Sequence, residues 1–366
     1  MPQPATHYLV VRRSIPKKYW KEWWDVYKCY FGFGSFAPDL FYFPCFESVG
    51  LVKNIRKDIS WENLADIFHS SGSYDFYCKL LDNAKSQKSM STDANKLLAF
   101  AFGYYCHVVT DCIFHPYVYR STGDHWNTKT DVPEYRHKLQ ELAIDNGISQ
   151  KYYDIRKNKV NINWNCQNEA MLLDAEITSL LHNTLLEIYP DCYPLEENNI
   201  DNINHPLQQA YHALKQVMDK IFTGEKIAVF GALKIDTVKK IAEKILIPST
   251  FSFTAPYPDC QGLYAYTPED LYNFSCSTSR KIFNLTLAFW HAKKSISAKD
   301  FFAQNTTNYL GVGNWNLDTG LPCEFNNYKK MRKEDRYHYN FKIDKLKEIY
   351  INLESQYQPS EFKKPT

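Results

Sequence analysis

Apolar residues recur at helical spacing through most of the chain. Between Lys17 and Phe31, the rings of Trp20, Trp23, Trp24, Tyr27 and Phe31 line one helical face, which predicts a helix with an aromatic stripe. The same periodicity predicts helices over 61–81, 92–114, 133–146, 168–188, 206–222 and 238–247, and later over 279–294 and 342–357. Period-2 alternation, the mark of a half-buried strand, is scarce. The fold class that follows is all-α with long connecting loops. With 13 glycines in 366 residues, neither a loop-rich β sandwich nor a Gly-rich nucleotide cradle is expected.

Two irregular stretches interrupt the helices. Residues 189–206 carry three prolines and several asparagines, and mark the expected domain boundary. The reading is a helical domain over 1–195 and a helical C-terminal extension, of unassigned role, over 196–366. A second irregular stretch, 248–273, is rich in Pro, Tyr and Ser. The length exceeds that at which one core stops growing, which agrees with a domain plus extension.

Composition removes several function classes. A 44% hydrophobic share argues against a largely disordered chain, and a net charge of +2 gives no reason to expect a basic surface for nucleic acid. The opening Met1-Pro2-Gln3-Pro4 has no cationic stretch followed by an apolar core, so a secretory signal is not expected. The longest apolar run, 97–105, is too short to span a bilayer, and a cytoplasmic location is the expectation. Ten cysteines without a Cys-x-x-Cys pair point to reduced, mostly buried thiols rather than disulfides or a thiolate zinc site.

Chemistry concentrates near the front, where six of the eleven histidines fall between His7 and His137. His107-x3-Asp111-x3-His115 places three ligand-type side chains at i, i+4 and i+8, drifting only ~40° per step around a helix. Pro116 disfavours helical geometry at His115, so the helix is expected to end there. His137-x3-Glu141 repeats the pattern, and Asp145 extends its face. Imidazole with carboxylate is the ligand set of catalytic zinc. The competing reading has two solvated faces with ordinary His–acid pairs. Val108, Val109, Ile113 and Phe114 make the first helix apolar, and burying His and Asp unpaired would be costly. Spacing alone leaves other candidates open: His7 as a surface residue, Asp39 as a helix cap after Pro38, His69 as a hydrogen-bonded core histidine. His182, His205, His212, His291 and His338 have no acid at convincing spacing and receive no role.

In order, these residues resemble the zinc-dependent phospholipase C family, which shares its fold with single-strand-specific zinc nucleases. The matching features are Thr6-His7-Tyr8, Ala37-Pro38-Asp39-Leu40-Phe41, and the helix running Gly103-Tyr104-x-x-His107-x3-Asp111-x3-His115-Pro116. Phe283-Asn284-Leu285-Thr286 and the stretch from Asn316 to Pro322 resemble the intracellular bacterial branch. The resemblance implies a multi-helix bundle holding two or three zinc ions. It implies one zinc on Asp39, His69, His107 and Asp111, with Asp111 bridging to a second zinc also held by His7. His115, His137 and Glu141 would hold a third, and Asp39 would also serve as general base. The secreted enzymes chelate one zinc through a processed N-terminal tryptophan. This chain begins Met1-Pro2, so the ion at His7 is expected to be the weakest held. The interval from Asp111 to His115 is also shorter than in the secreted enzymes and matches the intracellular ones.

The activity so implied is metal-assisted hydrolysis of a phosphodiester, with Asp145 and Asp131 as acceptors behind the imidazoles. Three classes remain: a hydrolase of phospholipid head groups meeting a membrane surface transiently, a nuclease, and a non-enzymatic helical protein. Only Lys96 is cationic between Asp93 and His115, which favours a phospholipid over a polyanionic strand. The chain has no His-Glu-x-x-His and no Gly-x-Ser-x-Gly.

Overall fold

Helices form where apolar spacing calls for them, and in the larger part of the molecule they gather around one long apolar helix. The protein was described by a computed structural model covering residues 4–49, 52–70, 72–91, 93–122, 132–152, 162–168, 170–191, 193, 202–222, 267–293, 295–305, 314–317 and 321–323. In chain order the α-helices are α1 (Pro4–Ser14), α2 (Asp25–Gly34), α3 (Trp61–Ser70), α4 (Ser73–Ser86) and α5 (Asn95–Thr122). They continue with α6 (Val132–Tyr152), α7 (Ala175–Ile188), α8 (Pro206–Phe222), α9 (Pro268–His291) and α10 (Ala298–Asn305). One antiparallel ribbon, β1 (Asn314–Asn316) with β2 (Leu321–Cys323), pairs Trp315 with Pro322. Among the described residues the fold is all-α apart from this ribbon.

Contacts divide the chain into two units, and the first comprises Met1–Phe36, His69–Asn165 and Phe253–Thr366. Its centre is α5, against which α1, α2, α4, α6 and α9 pack. The stretch Asn95–His115 has the length and apolar composition to cross a membrane, yet every residue from Leu97 to His115 is buried. It extends beyond the apolar run seen in the sequence because Val108, Val109, Ile113 and Phe114 carry His107, Thr110 and Asp111 inside with them. Phe102 meets Phe31 edge-on at 6.0 Å and Phe283 at 5.0 Å, so one ring of α5 is gripped by α2 and α9. The Tyr77 and Tyr105 rings stack at 4.2 Å, and the Tyr77 hydroxyl bonds Thr286 Oγ1 at 2.7 Å. Residues 268–291, from the expected C-terminal extension, therefore belong to the body that holds α5.

The approach of α2 to α5 needs glycine. A Cβ on Gly34 would lie 2.2 Å from the Phe100 carbonyl oxygen, and one on Gly103 would lie 2.3 Å from that of Phe31. Backbone meets backbone here, so no side-chain rotation would relieve the overlap.

The second unit comprises Ala37–Phe68 and Cys166–Ser252. It holds a 3-10 segment (Ala37–Val49), most of α3, and α7 and α8. The Phe68 ring meets Phe41 at 5.6 Å and Tyr189 at 5.8 Å, both edge-on. Glutamines on α8 satisfy irregular backbone: Gln208 accepts from the Leu173 amide at 2.8 Å, and Gln216 from Lys53 at 2.9 Å.

Several sequence expectations shift at their ends. The segment 17–31 is a 3-10 turn (Lys17–Tyr19), a π turn (Trp20–Trp24) and then α2. The stretch 61–81 is two helices, because Gly72 adopts a left-handed φ of 72° that glycine takes at little cost. The helix expected from 168 begins at Ala175, where Asp174 caps it by accepting from the Glu176 and Ile177 amides. The helix expected over 279–294 starts earlier, at Pro268, behind a Thr267–Asp270 capping box. The expected helices 238–247 and 342–357, and 248–266 of the irregular stretch, lie outside the described residues.

Candidate metal centre

His7, His69, His107, Asp111, His115, His137 and Glu141 all belong to the first unit and are buried. They come from α1, the last turn of α3, α5 and α6. His7 corrects one expectation, for it lies on a helix and is 1% exposed. Pro4 opens that helix, where its missing amide costs nothing. The Thr6 amide donates to Asp145 Oδ1 at 2.5 Å. Asp145 thus ties down the turn that presents His7.

Helix α5 corrects another. It runs past Pro116 to Thr122 rather than ending at His115. A proline removes one amide donor, and a 28-residue helix keeps its other bonds on either side. His107, Asp111 and His115 consequently share one continuous helical scaffold.

Two groups form along it. In the first, His107 Nε2 is 2.9 Å from Asp111 Oδ2, and His7 Nε2 is 3.3 Å from Asp111 Oδ1. His69 Nε2 lies 3.9 Å from Oδ2. The two carboxylate oxygens therefore face different histidines. The rings of His7 and His107 stack 3.9 Å apart with planes 6° from parallel. In the second group, Glu141 Oε1 lies 2.8 Å from His137 Nε2 and 3.3 Å from His115 Nε2. Within each of the sets His7–His107–Asp111 and His115–His137–Glu141, the ligand atoms lie within 4.8 Å of one another.

The electrostatics match the geometry. Burial alone would push the Asp111 carboxyl up, but His107, His115 and His7 outweigh it and hold the group well below the usual carboxylate range. Burial pushes His115 well below the ordinary imidazole value, which keeps its ring neutral. With Asp111 held ionised and His115 neutral, the buried carboxylate is a negative charge that a dication would cancel.

Backbone carbonyls set the ring tautomers. His107 Nδ1 meets the Ser35 carbonyl oxygen at 2.7 Å, and His115 Nδ1 meets that of Leu317. A carbonyl can only accept, so each Nδ1 donates its proton there, and each Nε2 faces a carboxylate, where a cation between the two would take the ring's lone pair. This is how metal-binding imidazoles are usually oriented. Imidazole nitrogen and carboxylate oxygen, converging in buried threes, fit zinc. Ser35 and Leu317 escape a reading of side-chain chemistry because both act through main chain.

Asp39 belongs to the second unit, where it is buried in the first turn of the 3-10 segment. Asp131 lies outside the described residues. Among the described residues, Cys29, Cys45, Cys78, Cys106, Cys112, Cys166 and Cys276 form no disulfide.

No curated protein and no solved structure matches the chain. A family does: the one described as zinc dependent phospholipase C matches residues 13–189, the span that carries every candidate ligand except His7. Residues 13–189 thus match the zinc-dependent phospholipase C family, and the buried His–carboxylate groups of α5 and α6 agree with that match.

Proposed function

We propose that the protein is a zinc-dependent phosphodiester hydrolase of phospholipase C type, with a phospholipid head group as preferred substrate. The carrying observation is Asp111, whose two oxygens are divided between His7 on one side and His107 with His69 on the other. A carboxylate so placed can serve two cations and temper their repulsion. His7, His69, His107 and Asp111 would hold two zinc ions, and His115, His137 and Glu141 a third. Zinc in such a donor set acidifies water toward neutral pH and offsets charge on phosphoryl oxygens.

The chain's own residues do the rest. Ser35 and Leu317 fix the tautomers, so no ring must turn before it binds. Val108, Ile113 and Phe114, all buried on α5, keep bulk water from the ligand-bearing helix. By its resemblance, Asp39 supplies a further ligand and the general base. The scarcity of cations on α5 supports a lipid over a nucleic acid strand.

The test sets an activated phosphodiester, phosphatidylcholine vesicles and single-stranded DNA side by side, with zinc and after chelation. Cleavage of the first two, lost on chelation, is expected. Cleavage of DNA alone would overturn the substrate, and silence on all three would overturn the activity.

A further inference from the structure

All the candidate ligands lie within the first 141 residues, yet one residue of the C-terminal third touches two of them. Leu317 follows β1 directly and is fully buried. Its amide donates to the His69 carbonyl oxygen at 2.8 Å, and its own carbonyl accepts from His115 Nδ1. Both main-chain polar groups of this one residue thus engage candidate ligands on two different helices.

Neither contact is incidental to local structure. His69 sits in the last turn of α3, where carbonyls have no intrahelical partner and must find one elsewhere. Leu317 supplies it, fixing the backbone from which the His69 ring projects. At His115 the Leu317 carbonyl plays the part that Ser35 plays at His107. The approach is anchored two residues back, on β1. The Ser73 hydroxyl donates to the Trp315 carbonyl at 2.9 Å and lies 3.2 Å from the Trp315 amide. Ser73 opens α4 beside Gly72, whose left-handed turn puts that hydroxyl at the helix start. Trp315 is 2% exposed and Ser73 fully buried, so water does not compete for these bonds. Every residue named here lies in the first unit.

We propose that residues 314–317 form a positioning strap: Leu317 selects the His115 tautomer and pins the end of α3, while Ser73 holds the strap through Trp315. The strap lies outside the family-matched span and gives part of the C-terminal region a task at the metal centre. Its effect on metal rests on the zinc reading above, whereas its effect on the tautomer does not.

The test uses the full chain with 15N-labelled histidine, as wild type and as Ser73→Ala and Leu317→Gly. In metal-free protein, long-range 1H–15N correlation reads the His115 tautomer directly. Zinc affinity then follows from competition with a chromophoric chelator, and the thermal midpoint of the metal-free protein reports folding. Wild type is expected to show His115 protonated at Nδ1. Both variants are expected to show mixed tautomers and to bind one zinc ~10–100-fold more weakly, the loss usual for an outer partner. His107, held by Ser35, should keep its tautomer and serves as internal control. A wild-type His115 protonated at Nε2 overturns the strap, even if a variant fails to fold. Unchanged tautomer and zinc affinity in folded variants overturn it too. Wild type that binds no zinc but shows the expected tautomers would instead remove the metal reading and leave the strap's geometry standing.

Discussion

Gly103→Ala tests whether the metal centre depends on how closely two helices approach. The added Cβ would stand 2.3 Å from the Phe31 carbonyl oxygen and 3.0 Å from both Gly34 Cα and the Ser35 amide nitrogen. A relaxed carbon–oxygen contact is ~3.3 Å, so α2 and α5 must part by ~1 Å. Overpacking of this kind costs about 1–3 kcal/mol, and the upper part of that range applies because both obstacles are backbone. Alanine recovers ~1 kcal/mol over glycine within a helix, leaving a net loss of about 2 kcal/mol. The same displacement reaches the site. Ser35 ends α2 and holds His107 Nδ1 at 2.7 Å, and a further ~1 Å lies outside hydrogen-bonding range. Urea unfolding of the metal-free protein should show a lower midpoint, and chelator competition should show weaker zinc binding. Gly34→Ala should behave alike, and the double variant should lose less than the sum, since the helices part only once. A stability within ~0.5 kcal/mol of wild type would refute the reasoning.

Asp111→Ala should release more zinc than His7→Ala, measured as metal per chain after gel filtration, and equal losses would contradict a bridging carboxylate. Asp39→Asn should abolish turnover of an activated phosphodiester while the chain stays folded by circular dichroism; a retained rate would remove Asp39 as base. Acid should weaken the second unit through His205, whose Nε2 lies 3.2 Å from His182 Nδ1. Burial first, then the charges of His182 and Arg56, push His205 from 6.5 down to about 4. The unfolded chain therefore takes up this proton near pH 6.5 and the folded chain only near pH 4, so stability is lost as pH falls between them. The loss should approach 1–2 kcal/mol (~, after solvent screening) in urea titrations at pH 7 and pH 5, and His205→Gln should flatten it.

What the sequence disclosed about the site was whatever rides on regular spacing. A repeat of four places His107, Asp111 and His115 on one side of any helix, and burial of that helix follows from its apolar neighbours. Element ends were less legible, because single backbone events decide them. The left-handed turn at Gly72 divides what apolar spacing reads as one helix, and Asp174 starts α7 later than periodicity suggests. Pro116 erred the other way, since a propensity against helix yields to the packing of a long buried one. His7 looked solitary because its partner, Asp111, is distant in sequence and meets it only once α1 packs on α5. The carbonyls of Ser35 and Leu317 had no signal at all, since every residue carries one.

The covering of α5 by α9 also sets an order of events during synthesis. Every ligand has left the ribosome by the time Glu141 emerges, but α9 and Leu317 follow much later. At ~5–20 residues per second the interval between Glu141 and Leu317 is roughly 9–35 s. Through that time the apolar face that Phe283 will cover stays open, and His115 lacks the carbonyl that orients it. Chains stalled before residue 268 should therefore bind chaperones and hold zinc poorly, and chains released after residue 317 should do neither.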